Sequence, residues 1–230
     1  MAKKIERVLV FDVETSGLIP RDRTNVKLED LPYILQLSYV VFETKGWQVV
    51  KCVDTHIDVD PSVEIVPFIT ELTGITRDMC NKGINIDHAL REFAYDYMNC
   101  DVIVAHNIKF DREMIKIELE RNKHLLADVW LDTFDREFEK QEKKEHFCTM
   151  YKSKYVCKIE RKNDKGETYY KCPKLVELHE HLFGTTPHSL HNSLVDTFIC
   201  LRCFVKMRFK FDMSLRYFPD IKFTACEEKV

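Results

Sequence analysis

Long apolar runs, low-complexity stretches and a surplus of charge of either sign are all missing from this sequence. No segment approaches the ~20 consecutive apolar residues that a membrane helix requires, so no membrane partner is expected. The opening MAKKIERVLVFDVE holds no apolar stretch of signal-peptide length. With 6 glycines and 7 prolines in 230 residues there is no low-complexity linker and no internal repeat, and 45% hydrophobic content suits one sizeable core, so a single domain over 1–230 is expected. Lysine and arginine number 35 against 38 aspartates and glutamates, a net charge of −3. That balance excludes a nucleic-acid binder that works through a global positive field; any such contact must come from a local patch or from bound metal. The 9 cysteines are odd in number. With no secretion signal they read as reduced thiols in an intracellular protein, with cytoplasmic, nuclear and viral settings open.

What is present is a run of strands that then alternates with helices. Arg7 to Val13 (RVLVFDV) is a short apolar β-rich run and reads as a core strand. Tyr33 to Glu43 reads as a second strand and Trp47 to Ile57 as a third, antiparallel to it across a turn near Gly46. Residues 64–73 and 86–98 have helical spacing, and Asp101 to Ala105 is a short buried strand. A helix follows over roughly Asp111 to Lys123. The charged stretch 128–145, which ends in DREFEKQEKKE (135–145), reads as a solvated surface helix. Residues 151–172 read as a β-hairpin whose strands Tyr155–Glu160 and Glu167–Cys172 flank the turn Asn163-Asp164-Lys165-Gly166. Leu175 to Phe183 is an amphipathic helix stopped by Gly184, and a last long helix starts near Asn192 and runs to about Arg208. This order predicts an α/β domain with a mixed sheet.

Carboxylates carry the chemistry. Asp12 and Glu14 stand two apart at the end of the first strand, so both project from one face. Two like charges ~4 Å apart repel by about 4 kcal/mol at an effective dielectric near 20, so one is protonated or a cation lies between them. A solvated strand end explains this pair equally well when it is read alone. Asp111, in AHNIKFD (105–111), lies near the start of a helix, where a carboxylate also serves as a simple cap. In HNSLVD (191–196), Asn192 as N-cap puts Asp196 one turn into the helix and leaves His191 just outside it, where by itself it would be a surface histidine.

Taken in order, Asp12-x-Glu14-Thr15-x-Gly17, then Ala105-His106-Asn107-x-x-Phe110-Asp111, then His191-x-x-x-x-Asp196 resembles the DnaQ-like, or DEDDh, exonuclease family. The segments CTM (148–150) and PKLVELHEHLFG (173–184) resemble what that family carries before its last motif. The tyrosine branch of the superfamily would have Tyr where Asn192 stands. One departure is a longer, charged insertion between Leu18 and Tyr33.

The resemblance implies a ribonuclease H-like fold with a mixed central sheet flanked by helices. It implies 3′→5′ exonuclease activity releasing nucleoside 5′-monophosphates, with DNA favoured and single-stranded or frayed ends as substrate. RNA trimming is the alternative, and an inactive nucleic-acid-binding or polymerase-associated module is the alternative of another class. Two divalent cations, Mg²⁺ or Mn²⁺, ~3.5–4 Å apart, would clamp the scissile phosphate. Asp12 would bridge both, Glu14 and Asp196 would complete one, and Asp111 would reach the other through water. His191 would take the proton of the attacking water. The backbone near Glu14 and Thr15 would meet the terminal ribose, Leu18 or Ile19 would wedge under the last base, and Asn107 and Phe110 would flank the end nucleotide. The implied partners are a nucleic-acid 3′ end and either a second copy of the chain or a replication or repair protein.

Two further features stand apart from these motifs. In 151–172, seven Lys/Arg, Lys158 and Arg161 among them, stand against three acids, with Tyr151, Tyr155, Tyr169 and Tyr170 interleaved. That composition suits contact to a single strand, and an exposed hairpin equally. Cys148, Cys157 and Cys172 with His146, and separately Cys200 and Cys203, lack any ordinary zinc spacing and read as structural thiols.

Overall fold

The computed structural model describes residues 7–188, 191–213 and 223–225. Arg7–Thr15 (β1) is buried on both faces from Val8 to Phe11, and a strand without a polar face must sit between two layers. Ile34–Glu43 (β2) and Gln48–Asp58 (β3) extend it as an antiparallel meander. Helices Pro67–Thr73 (α1) and Arg77–Asn81 (α2) lead to the edge strand Ile84–Asn85 (β4), parallel to β3. Ile86–Met98 (α3) then returns the chain to Val102–Ala105 (β5), parallel to β1, and Ile108–Arg121 (α4) follows. Asp128–Asp132 (α5) and Arg136–Gln141 (α6) precede Glu145–Cys148 (β6), parallel to β5. The mixed sheet has six strands in the order β4-β3-β2-β1-β5-β6.

The remaining chain forms Thr149–Cys157 (α7), the hairpin Glu160–Lys162 (β7) and Thr168–Tyr170 (β8), and Leu175–Phe183 (α8). Thr185–Pro187 (β9) pairs with Phe223–Ala225 (β10), and Ser193–Phe209 (α9) lies between them in the chain. Alternation along β1 divides the core. Leu9, Phe11 and Val13 pack with Phe93, Met114 and Ile115 of α3 and α4. Val8 and Val10 pack with Leu201 and Phe204 of α9 on the other face. Because β1, β5 and β6 run parallel, their carboxyl ends lie along one edge of the sheet, where open α/β sheets gather their ligands.

Three expectations are corrected. Residues 128–145 do not form one surface helix: Phe134 enters the core, Asp135 caps α6 by accepting from the Glu137 amide (2.6 Å), and 145–148 is a sheet strand. Nor is the charge run fully solvated, since Glu139 is buried. The insertion at 151–172 is a helix followed by a short hairpin. Thr149 and Ser153, four apart, are buried while Tyr151 and Tyr155 are exposed, so this stretch has a helical period that its aromatic content hid. The turn itself is as expected, with Gly166 at φ 80° and its amide donating to Asn163 O (2.9 Å). Finally, α4 begins three residues before Asp111, which therefore sits inside its first turn.

Candidate active site

The end of the central strand β1 and the first turns of α4 and α9 assemble one acidic centre. The pairing of β1 with β2 shifts register between Glu14 and Thr15, immediately after Asp12 and Glu14 have projected from the strand. Asp196 arrives from the first turn of α9, and one oxygen each of Asp12, Glu14 and Asp196 lie within 4.8 Å of one another. Asp111, buried in the first turn of α4, adds its field to theirs. Desolvation first, and then the neighbouring carboxylates, push Asp12 well above its ordinary pKa and raise Glu14 to about 8. Burial likewise raises Asp111 and Asp196, opposed by backbone amides that donate to each.

Polar contacts fix the elements that carry these carboxylates. Asn192 caps α9 by accepting from the Val195 amide (3.2 Å). Ser193 Oγ donates to the main-chain oxygen of Asp12 (2.7 Å), and its amide faces Gln36 Oε1 (3.4 Å). Gln36 Nε2 and Ser38 Oγ in turn donate to Asp54 (both 2.7 Å). The start of α9 is thereby keyed to β1 and β2. On the other side, His106 bridges β5 to both ends of the insertion, through Thr149 Oγ1 (2.9 Å) and the Pro173 carbonyl (3.1 Å). Burial lowers its pKa to about 4, so the ring is neutral and can donate through one nitrogen while accepting at the other. Beside Asp111, Arg112 pairs with the buried Glu139, which also accepts from Tyr97 Oη (2.6 Å) and meets His146 (3.3 Å).

His191 is exposed in a bend before α9, with φ 66°, and its amide donates to Asp196 Oδ2 (3.2 Å). Asn107, the α4 N-cap, also adopts a left-handed backbone (φ 73°), which asparagine tolerates. Phe110 is half-buried against the core and faces a groove beside Asn107. Thr15 is buried and donates to Gly17 O (2.7 Å), whereas Leu18 is 84% exposed and Ile19 packs on the core. Lys158 and Arg161 are exposed on the insertion, outside the acidic group. Cys148, Cys157, Cys172, Cys200 and Cys203 are free thiols; among the described residues the metal-compatible group is Asp12, Glu14 and Asp196.

Sequence reading missed Gln36, Ser38, Ser193, His106 and the Arg112–Glu139 pair. The polar breaks in ILQLSYVVF were the available signal for the first two: a polar residue in a strand buried on both faces must have a buried partner.

The exonuclease family model (RNase_T) matches residues 9–204, and the chain belongs to that family. It is 33% identical over 128 residues to DNA polymerase III PolC-type of Caldanaerobacter subterraneus subsp. tengcongensis, covering 55% of this chain and 8% of that protein. It is 31% identical over 131 residues to the 3′-5′ exonuclease DinG of Bacillus subtilis, covering 56% of this chain and 13% of that protein. The chain thus spans only a small part of the length of these curated relatives. Among solved structures it resembles E. coli exonuclease I in complex with a dT13 oligonucleotide (TM-score 0.61, 15% identity, 89% of this chain and 42% of that one). It also resembles the 3′-exonuclease in a structure of histone mRNA stem-loop recognition (TM-score 0.60, 13% identity, 98% of this chain and 72% of that one). These likenesses establish the ribonuclease H-like fold. No helix among the described residues is long and apolar enough to cross a membrane.

Proposed function

We propose that this chain, as one exonuclease domain, removes nucleoside 5′-monophosphates from the 3′ end of single-stranded or frayed DNA with the help of two divalent cations. One observation carries the reading: Asp111 Oδ2 and Asp196 Oδ1 are buried without a hydrogen-bond partner, beside Asp12 and Glu14. Such orphaned carboxylate oxygens are costly, and a cation relieves the cost. The all-oxygen donor set fits Mg²⁺ or Mn²⁺. Asp12, Glu14, Asp111 and Asp196 would hold the ions, whose positive charge would neutralise the scissile phosphate and make water a better nucleophile.

The chain's own groups supply the rest. His191 accepts the proton as water oxygen bonds to phosphorus; the bond from phosphorus to the 3′ oxygen breaks, and that oxygen leaves and takes up a proton. The main chain at Thr15 meets the terminal ribose, Leu18 wedges against the last base, and Asn107 and Phe110 flank the end nucleotide. RNA is the second reading, supported by the likeness to a histone mRNA 3′-exonuclease over 98% of the chain.

The test is digestion of 5′-labelled single-stranded DNA and RNA with Mg²⁺ or Mn²⁺ and with EDTA. The expected result is a metal-dependent ladder shrinking from the 3′ end, faster on DNA. No ladder with either sugar or metal would replace this reading with that of a binding module, and a second copy or a replication or repair protein would then be sought as its partner. Lys158 and Arg161 rise from the insertion that His106 ties to the site, and we assign them to the upstream strand. Lys158→Glu with Arg161→Glu should raise KM about tenfold on long strands and spare short ones, as loss of phosphate contacts does. An unchanged KM on long strands removes that assignment.

A further inference from the structure

The insertion between β1 and β2 is a closed, braced loop. Its neck is pinned by Ser16 and Tyr33: the Ser16 amide donates to Tyr33 O and the Tyr33 amide to Ser16 Oγ, both at 2.9 Å. Helix α4 holds its body. The Arg121 guanidinium lies 3.6 Å from the Tyr33 ring centroid and donates to the carbonyls of Leu28 (3.0 Å) and Leu31 (3.1 Å). Glu118 accepts from the Ile34 amide (3.0 Å), and Arg23 pairs with Glu113 (2.7 Å). A loop fastened to the helix that carries Asp111 keeps a fixed place beside the acidic centre.

The loop separates two grooves of opposite character. One, of about 520 Å³, runs between the loop and the first turn of α4, with Ile19, Pro20 and Phe110 as apolar lining and Arg21 and Lys109 as cations. Arg23 is engaged by Glu113, whereas neither Arg21 nor Lys109 has an ion-pair partner among the described residues. The other, of about 640 Å³, begins at Ser16 and Gly17 and bears Glu29, Asp30 and Glu64. Lys27 approaches Glu29 only at 3.7 Å on an exposed surface, which screens little of that charge. Leu18, 84% exposed, lines this acidic groove, and its neighbour Ile19 lines the other.

We propose that this loop sorts strands: the strand ending in the reacting 3′ terminus lies in the Arg21–Lys109 groove, and the acidic groove turns a complementary strand away. This deepens the proposed function and rests on it. An apolar lining with cations at its margin matches a base with its phosphate, the combination used by single-strand binders. Three carboxylates facing a phosphate backbone repel it and select against a second strand, because like charges brought together suppress a wrong partner.

The experiment measures binding and cleavage separately. Binding is read by fluorescence anisotropy of a labelled single-stranded 12-mer and of the same strand in a blunt duplex, with Ca²⁺ in place of Mg²⁺. Cleavage is read on thymidine 5′-(p-nitrophenyl phosphate), which has no upstream nucleotide. Arg21→Glu should weaken single-strand Kd about tenfold through loss and inversion of a phosphate contact. The triple variant Glu29→Gln, Asp30→Asn, Glu64→Gln should tighten duplex binding at least about fivefold while single-strand Kd moves less than about twofold. Unchanged single-strand Kd in Arg21→Glu, or unchanged duplex discrimination in the triple variant, overturns the proposal. A wild-type protein that binds in this pattern but cleaves neither ester nor oligonucleotide keeps the proposal and overturns the exonuclease reading instead.

Discussion

Asp12→Asn should lower metal-dependent cleavage by on the order of 10³-fold, as loss of a group that stabilises transition-state charge does, while making the metal-free protein more stable. The two effects share one cause. Asp12 is pushed well above its ordinary pKa by desolvation, then by Asp111, Asp196 and Glu14. Without metal the cluster resists ionisation, and the sign of the pH dependence follows. A carboxyl whose folded pKa is raised is fully protonated in both states below its unfolded pKa, so nothing is lost there. As pH rises, the unfolded chain releases its proton first and the native state falls behind. For Glu14, metal-free stability therefore declines from about pH 4.5 to about pH 8 and then levels. Each pH unit separating the folded from the unfolded titration is worth about 1.4 kcal/mol, and linked groups bring the total to a few kcal/mol. Divalent metal should reverse the decline by binding the native, ionised cluster in preference to the unfolded chain. Thermal melts at pH 5 and pH 8, with EDTA or Mn²⁺, check this. Wild type should lose several degrees between the two pH values in EDTA and regain them in Mn²⁺, at about 2–4 °C per kcal/mol. Asp12→Asn should melt higher than wild type in EDTA at pH 8 and respond little to Mn²⁺. Equal melting of the two proteins in EDTA would mean that the carboxylates do not repel one another.

The acidic centre was legible because its chemistry is local in sequence. Asp12 and Glu14 share a strand face two residues apart, and Asn192 fixes the phase of α9 so that Asp196 falls in its first turn. Long-range partners were not legible. Ser193 meets Asp12, and His106 meets Pro173, across spans that no local periodicity encodes. The strand β6 was hidden for a related reason. It is four residues long, follows a charged helix and gains its identity only by pairing with β5. The aromatic residues of α7 suggested β structure by propensity, but the burial of Thr149 and Ser153 against the domain imposed a helix. Tertiary packing overrode local preference where the segment had one small buried face and a large exposed one. The insertion between β1 and β2 was visible as an anomaly of length, but its division of charge into two grooves became apparent only once α4 was seen to brace it.

His191→Ala should lower kcat by about 10²–10⁴-fold, the usual contribution of a general base, while leaving the metal-induced rise in melting temperature at its wild-type size. Separating the two readouts matters because His191 and Asp196 are joined: the His191 amide donates to Asp196 Oδ2 at 3.2 Å. That contact is made by the backbone, so alanine preserves it and the carboxylate keeps its orientation. The imidazole itself is exposed at a bend with φ 66°, and its removal leaves no cavity in the core. A loss of kcat with unchanged KM and unchanged Mn²⁺ stabilisation would thus report on the ring alone. Added imidazole supplies a second discriminating readout: a solvent-open position should admit it and recover part of the lost rate. If alanine instead abolishes the Mn²⁺ response, His191 acts by holding Asp196 and the metal in place. If kcat is unchanged, proton transfer runs through another group, and the assignment of His191 fails while the carboxylate centre stands. His106 does not take over in that case, since its buried ring is committed to Thr149 and Pro173 and its pKa is lowered to about 4.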